Sequence, residues 1–449
     1  MKRSDALDAL RLFRRSLYEC FDHRADALFE LADALLTAGV VPSPVHLSLQ
    51  PSHRRGWGSL YAALSRGRID GDGVRELVAR CPLEEDRAAV YGVDVSVWPR
   101  CDAESSPERG YYYHPSRHSA GRQPIVAGWA YQWIAQLGFA RDGWVAPMDV
   151  VRVRPKENAN EVAAEQVKGL LRRSPEREDT PLFVFDAGYD PVQLQQKLGG
   201  CRAQILVRLR AGRCFYADPP PPAWTGRPPR HGPKLDTRDP KTWPVPSAEY
   251  RREDPGYGTV HVRAWAGLHP KTQDHPTRGS RRPRPIVRGT LVLVEVGRLP
   301  RPTREPRMLW LWWHGPAEPD LDLLWRAYVR RFDLEHTFRF LKQTLGWTTP
   351  RVRHPEQADR CSWLILAAYA QLRLARPCVA DRRLPWERCY APGRLTPWRV
   401  RRVVLELLVE LGTPAKPPKP CGRSPGRPKG HRSGSAKRHP AIKKTALNG

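Results

Sequence analysis

The stretch PLFVFDAGYDPVQLQQKLGGCRAQILVRLR, residues 181–210, decides the fold class of this chain. It begins with a short apolar run that reaches a turn at Asp186. Residues 191–200 are predicted to form a helix that stops at glycine, and residues 203–210 a second apolar strand. Strands joined through a helix need a crossover connection, so these two are predicted to run parallel in one sheet.

Three further strand candidates precede this segment. They are AAVYGVDVSV (88–97), IVAGWAYQWIAQL (125–137) and WVAPMDVVRV (144–153). Their short connections allow antiparallel pairing. A helix follows over 158–174, opened by Asn158 or Asn160. The resulting order, β-β-β-α-β-α-β, predicts an α/β fold with a ribonuclease-H-like mixed sheet and flanking helices.

Composition changes along the 449 residues divide the chain into six regions. Residues 1–85 have helical periodicity and form either a DNA-binding unit or a helical cap on the next domain. The Pro- and Arg-rich stretch after residue 210 contains strand patterns, so it is interpreted as a β-rich insertion before the last core helices. The predicted regions are 1–85 (N-terminal helical), 86–210 (first part of the core), 211–317 (β-rich insertion), 318–378 (core helices), 379–411 (C-terminal helical segment) and 412–449 (a disordered basic tail).

The charge balance points to a polyanionic partner. Lys and Arg total 75 against 47 Asp and Glu, a net charge of +28, and such an excess favours nucleic acid binding. No apolar run is long enough to span a membrane, and the N-terminus lacks a signal-peptide core. Nine scattered cysteines without a C-x-x-C pair suit a reducing compartment. The chain is therefore expected in the cytoplasm, associated with the nucleoid.

Two acidic residues lie in apolar strand patterns. Asp94 sits in the middle of YGVDVSV, and Asp186 ends LFVFD. A carboxylate in such a position is costly unless it is paired or bound to a metal. A turn or capping role is a reasonable alternative for Asp186, which precedes Ala-Gly-Tyr, but is weak for Asp94.

A third acid lies on an amphipathic helix predicted within residues 320–346. Tyr328, Arg331, Glu335 and Lys342 follow the spacing Y-x2-R-x3-E-x6-K. Helical geometry puts the last three on one face, with Tyr328 one turn earlier, and turns Asp333 about 200° away from Glu335. A carboxylate between two cations suits a phosphate held beside a metal. A surface stripe of ion pairs is the alternative.

YGVDVSV, FVFDAGYD and YVRRFDLEHTFRFLK together resemble the bacterial insertion-sequence transposases of the DDE class that carry the Y-R-E-K signature. The resemblance covers about residues 85–375. It implies Asp94, Asp186 and Glu335 as catalytic ligands of two Mg²⁺ (or Mn²⁺) ions, and Tyr328, Arg331 and Lys342 as contacts to the DNA end. The expected partners are transposon-end DNA and target DNA, with a homodimer in the DNA complex. A catalytically inactive DNA-binding derivative and a nuclease on the same fold are the alternatives.

Further DNA contacts are expected outside the signature. Arg117 and Arg122 lie in GYYYHPSRHSAGRQP (110–124), predicted as a loop close to DNA, although its tyrosines would also suit a packed hairpin. Arg427 and Lys429 lie in SPGRPKGHR, which resembles an AT-hook within a basic tail. The WLWW run at 310–313 favours a core position over base stacking.

Overall fold

The computed structural model describes most of the chain, and its elements alternate much as the sequence predicts. The described residues are 3–41, 43–83, 88–101, 103–113, 125–140, 143–174, 178–221, 231–271, 286–300, 308–390 and 394–420, with 426, 428–430, 434–435 and 437–439 in the tail. The helices are α1 Arg3–Glu19, α2 Ala25–Thr37, α3 Pro44–Leu47, α4 Trp57–Arg66, α5 Gly71–Ala79, α6 Ala159–Arg173, α7 Pro191–Lys197, α8 Leu321–Arg330, α9 Phe332–Gln343, α10 Pro355–Ala375 and α11 Pro397–Leu411, with 3-10 turns at Pro240–Thr242 and Arg376–Cys378. The strands are β1 Phe21–His23, β2 Arg68–Ile69, β3 Val90–Pro99, β4 Gly110–Tyr113, β5 Ile125–Leu137, β6 Val145–Val153, β7 Leu182–Phe185, β8 Gln204–Arg208, β9 Cys214–Tyr216, β10 Lys234–Asp236, β11 Ala248–Asp254, β12 Gly258–Pro270, β13 Gly289–Val296 and β14 Met308–His314.

Strand β3 is the centre of a large mixed sheet. It pairs antiparallel with β5, which pairs antiparallel with β6. On its other side β3 pairs parallel with β7, and β7 pairs parallel with β8. The α/β class, the antiparallel early strands and the parallel later strands therefore agree with the sequence prediction. The parallel connections run through α6 and α7, whose N-caps are Asn158 and Asp190.

The strands of the β-rich insertion extend this same sheet instead of forming a separate one. β14 returns antiparallel beside β8, with Leu311 opposite Arg208. β13 and β12 follow outward, and β9, β10 and β11 complete that end. Trp310, Trp312 and Trp313 of β14 are buried, which confirms their predicted place in the core.

The two faces of the sheet carry different helices. One face, with Val93, Phe185 and Val207, packs against α6 and α7. Side chains alternate between the faces of a strand, and the opposite face, with Val184 and Leu206, shares one apolar cluster with α8 to α11 and the N-terminal helices. Asp94 alternates with Val93 and Val95, so its position belongs to this second face.

The N-terminal helices share the core of α10, a 21-residue helix. Arg14 of α1 forms a buried ion pair with Asp33 of α2 (2.6 Å) and donates to Gln371 of α10 (2.8 Å). The first residues of the tail also contact this unit, because Arg54 donates to the carbonyl of Ala415 (2.7 Å), whose side chain is buried. Disorder was predicted from residue 412, and these contacts place the start of the tail against the helices.

The amphipathic helix predicted within 320–346 is two helices with Arg331 between them. The backbone at Arg331 stays helical (φ −55, ψ −30), but its amide donates to both Ala327 and Tyr328. This tightened turn marks the junction of α8 and α9. Among the described residues, no helix is both long and apolar enough to cross a bilayer.

Candidate active site

Two acids lie side by side just past the last parallel pair of β3 and β7. Val93 of β3 is paired with Phe185 of β7, and Phe185 with Val207 of β8. The next residue of each strand therefore falls in one row, which reads Asp94, Asp186 and Arg208 across the sheet. Acids that are 92 positions apart in sequence become neighbours because the two strands are parallel and in register.

Each strand acid is held by a local backbone contact. One oxygen of Asp94 accepts from the amide of Val95 (2.8 Å), and one oxygen of Asp186 accepts from the amide of Gly188 (2.8 Å). The turn role considered for Asp186 is therefore real, and it also fixes the direction of the carboxylate. Among the described residues, no hydrogen bond engages the second oxygen of Asp186.

The electrostatics of Asp94 reflect burial among like charges. Burial raises the pKa of its carboxyl from 3.8 to about 6, and the charges of Asp186 and Glu335 act in the same direction. Arg331 opposes this rise. A carboxylate with this balance is stabilised by any further cation placed between the acids.

Arg331 is that cation in this structure. Its guanidinium lies 2.8 Å from Asp94 Oδ2 and 3.2 Å from Glu335 Oε1. Its side chain is only 5% exposed, and it contacts the rings of Tyr328 and Phe332. Arg331 therefore connects the helix acid to the strand acid.

The helix residues of the signature differ in exposure. Glu335 lies on the site side of α9 but is 53% exposed. Asp333 turns away and pairs with Arg330 (2.9 Å), as its helical angle predicts. Lys342 is partly buried over the ring of Trp347, and this burial lowers the pKa of its ammonium to about 8.

Tyr328 is buried behind Arg331 and does not reach the surface. Burial raises the pKa of its hydroxyl, whereas the charges of Arg331 and Arg208 oppose the rise. The phenol therefore lies between two guanidinium groups, one from the α8–α9 junction and one from β8.

The donor set fits a divalent ion in its chemistry. Carboxylate oxygens are the ligands that Mg²⁺ and Mn²⁺ prefer, and Asp94 and Asp186 are side by side. In the described part of the chain, however, no three His, Cys, Asp or Glu side chains come together closely enough to hold a metal. The Arg331 guanidinium lies between Asp94 and Glu335 and pairs with both.

The other predicted DNA contacts lie away from these acids or outside the described residues. Arg117, Arg122 and Arg427 fall outside the described ranges, and Lys429 is exposed in the tail. The tyrosine run at Gly110–Tyr113 pairs with β5 as a strand, so the hairpin alternative holds for that part of the predicted loop.

Two features of the site are absent from the sequence predictions. Arg208 enters the row of acids only once the register of β8 is known, and its sole signal was an arginine directly after an apolar strand. Behind Asp186, the Tyr189 hydroxyl lies 2.9 Å from the Gln132 amide. Gln132 continues through Gln166 to the buried Asp149. The residues of this hydrogen-bond network lie on separate helices and strands, so no local sequence pattern predicts it.

Comparison with known proteins gives one family. None of the curated proteins matches this chain at a significant level. A solved structure, described as the cryo-EM structure of piggyBac transposase synaptic complex with hairpin DNA, is similar at a TM-score of 0.37 and 11% identity, over 78% of this chain and 65% of that chain. This chain thus spans just under two thirds of that solved chain.

The family described as DDE superfamily endonuclease matches residues 16–271. The matched segment contains Asp94 and Asp186 and ends before Glu335. It covers more than half of the chain and includes the central strands that bring the two acids together. The chain therefore belongs to the DDE superfamily endonucleases.

Proposed function

We propose that this protein is a DNA transposase that cleaves strands at transposon ends and transfers them into target DNA. The observation that carries the proposal is the placement of Asp94 and Asp186 in one row of the sheet, with Glu335 joined to Asp94 through Arg331. Membership of an endonuclease family supports cleavage of a nucleic acid backbone. The net charge of +28 supports DNA as the substrate.

The strand order supports a ribonuclease-H-like core for this enzyme. Three antiparallel strands, β6, β5 and β3, are followed across the sheet by the parallel β7 and β8. The third acid then comes from a helix after the insertion, as in the insertion-sequence transposases with the Y-R-E-K signature.

In the proposed site, Asp94, Asp186 and Glu335 hold two Mg²⁺ or Mn²⁺ ions. Bound metal supplies Lewis-acid stabilisation of the oxygens that carry charge during phosphodiester cleavage. The residues of this chain set the geometry: the amides of Val95 and Gly188 orient the strand carboxylates. Arg331 neutralises Asp94 and Glu335 until DNA arrives.

The proposed DNA contacts follow the signature and the basic segments. Tyr328, Arg331 and Lys342 are proposed to face the DNA end, with Tyr328 and Arg331 becoming accessible when the α8–α9 junction rearranges. Arg117, Arg122, Arg427 and Lys429 are proposed as phosphate contacts further along the DNA. We further propose a homodimer on the paired ends and a cytoplasmic, nucleoid-associated location.

The test uses the DNA that flanks the gene for this chain as substrate. Asp94→Asn, Asp186→Asn and Glu335→Gln should each abolish Mg²⁺-dependent end cleavage while DNA binding, measured by fluorescence anisotropy, stays within a few-fold. Asp333→Asn is the matched control, an acid on the same helix that faces away, and should cleave normally.

Joining to a supplied target duplex separates a transposase from a nuclease on the same fold. Cleavage without joining would favour the nuclease. Cleavage that survives all three acid variants, or that continues with a chelator present, would refute the assignment of the site.

A further inference from the structure

Arg331, a cation in contact with the acids, already forms ion pairs with two of them. Both terminal nitrogens of Arg331 are engaged, one with Asp94 and one with Glu335. Its side chain is packed against Tyr328 and Phe332 and almost fully buried. Because Arg331 is buried and paired with both carboxylates, we expect a DNA strand that first approaches this site to meet a different positive charge.

Arg208 is positioned to be the positive charge that an approaching DNA strand meets first. It follows Val207 in β8, and it occupies the row of Asp94 and Asp186. Alternation along the strand puts it on the face of Leu206, which is also the face of Asp94 and of helix α8. Across the site it neighbours the Tyr328 hydroxyl.

Two properties set Arg208 apart, its exposure compared with Arg331 and its ion pairing compared with both Arg330 and Arg331. Arg208 is partly exposed, whereas Arg331 is buried. Within the part of the chain that the structure describes, no carboxylate forms an ion pair with Arg208, whereas Arg330 pairs with one and Arg331 with two. A guanidinium without a carboxylate partner can donate to a phosphate.

We infer that Arg208 binds a phosphate of the DNA end beside the acids and so positions the strand for cleavage. The inference rests on the proposed function and extends the DNA contacts to a strand residue outside the Y-R-E-K signature. A guanidinium binds phosphate oxygens through two parallel N–H donors, which fixes both the distance and the orientation of the strand.

The test compares Arg208→Gln with Arg210→Gln on duplexes carrying the terminal sequence that flanks the gene. Arg210 is the matched control, because it is exposed and two residues further along the same strand direction, past the row of acids. Binding is measured without metal over a range of salt concentrations. Loss of one phosphate contact should lower the slope of log K against log salt by about 0.9 for Arg208→Gln. Because the row of acids ends before Arg210, Arg210→Gln should leave that slope close to wild type.

A neutral methylphosphonate, placed in turn at each phosphate near the end, identifies the partner. At one position it should weaken binding of the wild-type protein and of Arg210→Gln, but have no effect on Arg208→Gln. Arg208→Lys should restore the salt slope and part of the cleavage rate, because it keeps the charge but loses the two-donor geometry. A purely structural role for Arg208 would produce neither the phosphate-specific effect nor this partial rescue.

Equal salt slopes and equal methylphosphonate profiles for Arg208→Gln and wild type would overturn the inference. If wild type cleaves the ends and these profiles are equal, the proposed function survives and only the role of Arg208 fails. If wild type binds the ends but does not cleave them, the binding experiment still decides the role of Arg208 while the proposed activity fails.

Discussion

At the scale of single residues, the guanidinium of Arg331 supplies positive charge beside the same acids that are proposed to bind a divalent metal ion. It pairs with both Asp94 and Glu335. A guanidinium and a divalent ion compete for the negative charge of the same carboxylates. The free protein should therefore bind metal weakly, and loss of Arg331 should strengthen that binding.

We expect Arg331→Gln to bind Mn²⁺ at least about tenfold more tightly than wild type without DNA, equivalent to about 1.4 kcal/mol. The change removes a competing charge and leaves three carboxylates to share the ion. Electron paramagnetic resonance of free Mn²⁺ measures the affinity. A rise in the unfolding temperature of the variant with Mn²⁺ provides a second readout that does not depend on activity.

Arg330→Gln is the control for this experiment, because Arg330 pairs with Asp333 on the outer side of the same helix junction. It should bind Mn²⁺ as wild type does. Adding Asp94→Asn to Arg331→Gln should abolish the gain. Equal affinities for wild type and Arg331→Gln would show that Arg331 does not compete with metal.

The buried ammonium group of Lys342 is expected to lower the stability of the folded protein at neutral pH. Burial over Trp347 lowers the pKa of its ammonium from 10.5 to about 8. A depressed folded-state pKa means that its contribution to stability is present above pH 10.5 and is lost as the pH falls through about 8. At pH 7 the folded protein therefore bears the cost of a buried charge.

Lys342→Met should raise the free energy of unfolding at pH 7 by about 2 kcal/mol. The difference should shrink as the pH rises from 8 to 10.5, because the lysine then becomes neutral. Denaturant unfolding at several pH values measures both trends. Lys197→Met, at an exposed ion pair with Glu161, should change stability by less than about 0.5 kcal/mol, and a pH-independent effect at position 342 would contradict the argument.

At the scale of helices and strands, local patterns predicted the elements but not their junctions. The apolar runs around Asp94 and Asp186 are β3 and β7, and Asn158 and Asp190 cap the helices that follow. These strands and helix N-caps depend on residues that are close in sequence, so a sequence pattern can predict them. The junction at Arg331 coincides with its contact to Asp94, 237 positions away, and the helical periodicity gives no sign of such a contact.

The candidate site was only partly visible in the sequence. Strand context singled out Asp94 and Asp186, and the resemblance to the Y-R-E-K transposases implied Glu335 as the third acid, so the role of these three residues stays a prediction. The row that adds Arg208 requires the register of two parallel pairs, and register is a tertiary property that no single strand encodes.

Pairing of β3 with β5 depends on a close approach at Gly128. A Cβ atom there would lie 2.2 Å from the carbonyl oxygen of Trp98 in β3, and a backbone atom cannot move aside as a side chain can. Gly128→Ala should therefore lower the free energy of unfolding by about 2–4 kcal/mol. Thermal unfolding measures the change. Gly39→Ala, where nothing lies within 4 Å of the added Cβ atom, should keep a free energy of unfolding close to that of wild type.

At the scale of the whole molecule, one apolar cluster joins the N-terminal helices to α10 and to the sheet face that carries Asp94. The sequence left a DNA-binding unit and a helical cap as alternatives for residues 1–85. The shared core favours packing as the role of the inward faces of these helices, and leaves their outer faces available to DNA. It also predicts that the helices and the sheet unfold together.

The buried pair between Arg14 and Asp33 provides the test of that cooperativity. Both side chains are at most 6% exposed, and burial raises the pKa of Asp33 although Arg14 opposes the rise. Arg14→Leu leaves a buried carboxylate without its partner, which should cost about 3–5 kcal/mol. The double variant Arg14→Leu/Asp33→Leu removes both charges and should recover most of that loss.

The double variant makes the experiment independent of whether the single variant folds. Two thermal transitions should shift by the same amount in each variant. One is circular dichroism at helix wavelengths, and the other is tryptophan fluorescence, to which the buried Trp98, Trp129 and Trp133 of the sheet contribute among the 16 tryptophans. If the helical signal moved to lower temperature while the fluorescence transition stayed at its wild-type value, the N-terminal helices would be a separate folding unit. A common shift requires that stability lost at α1 and α2 is transmitted through α10 to the strands that hold the acids.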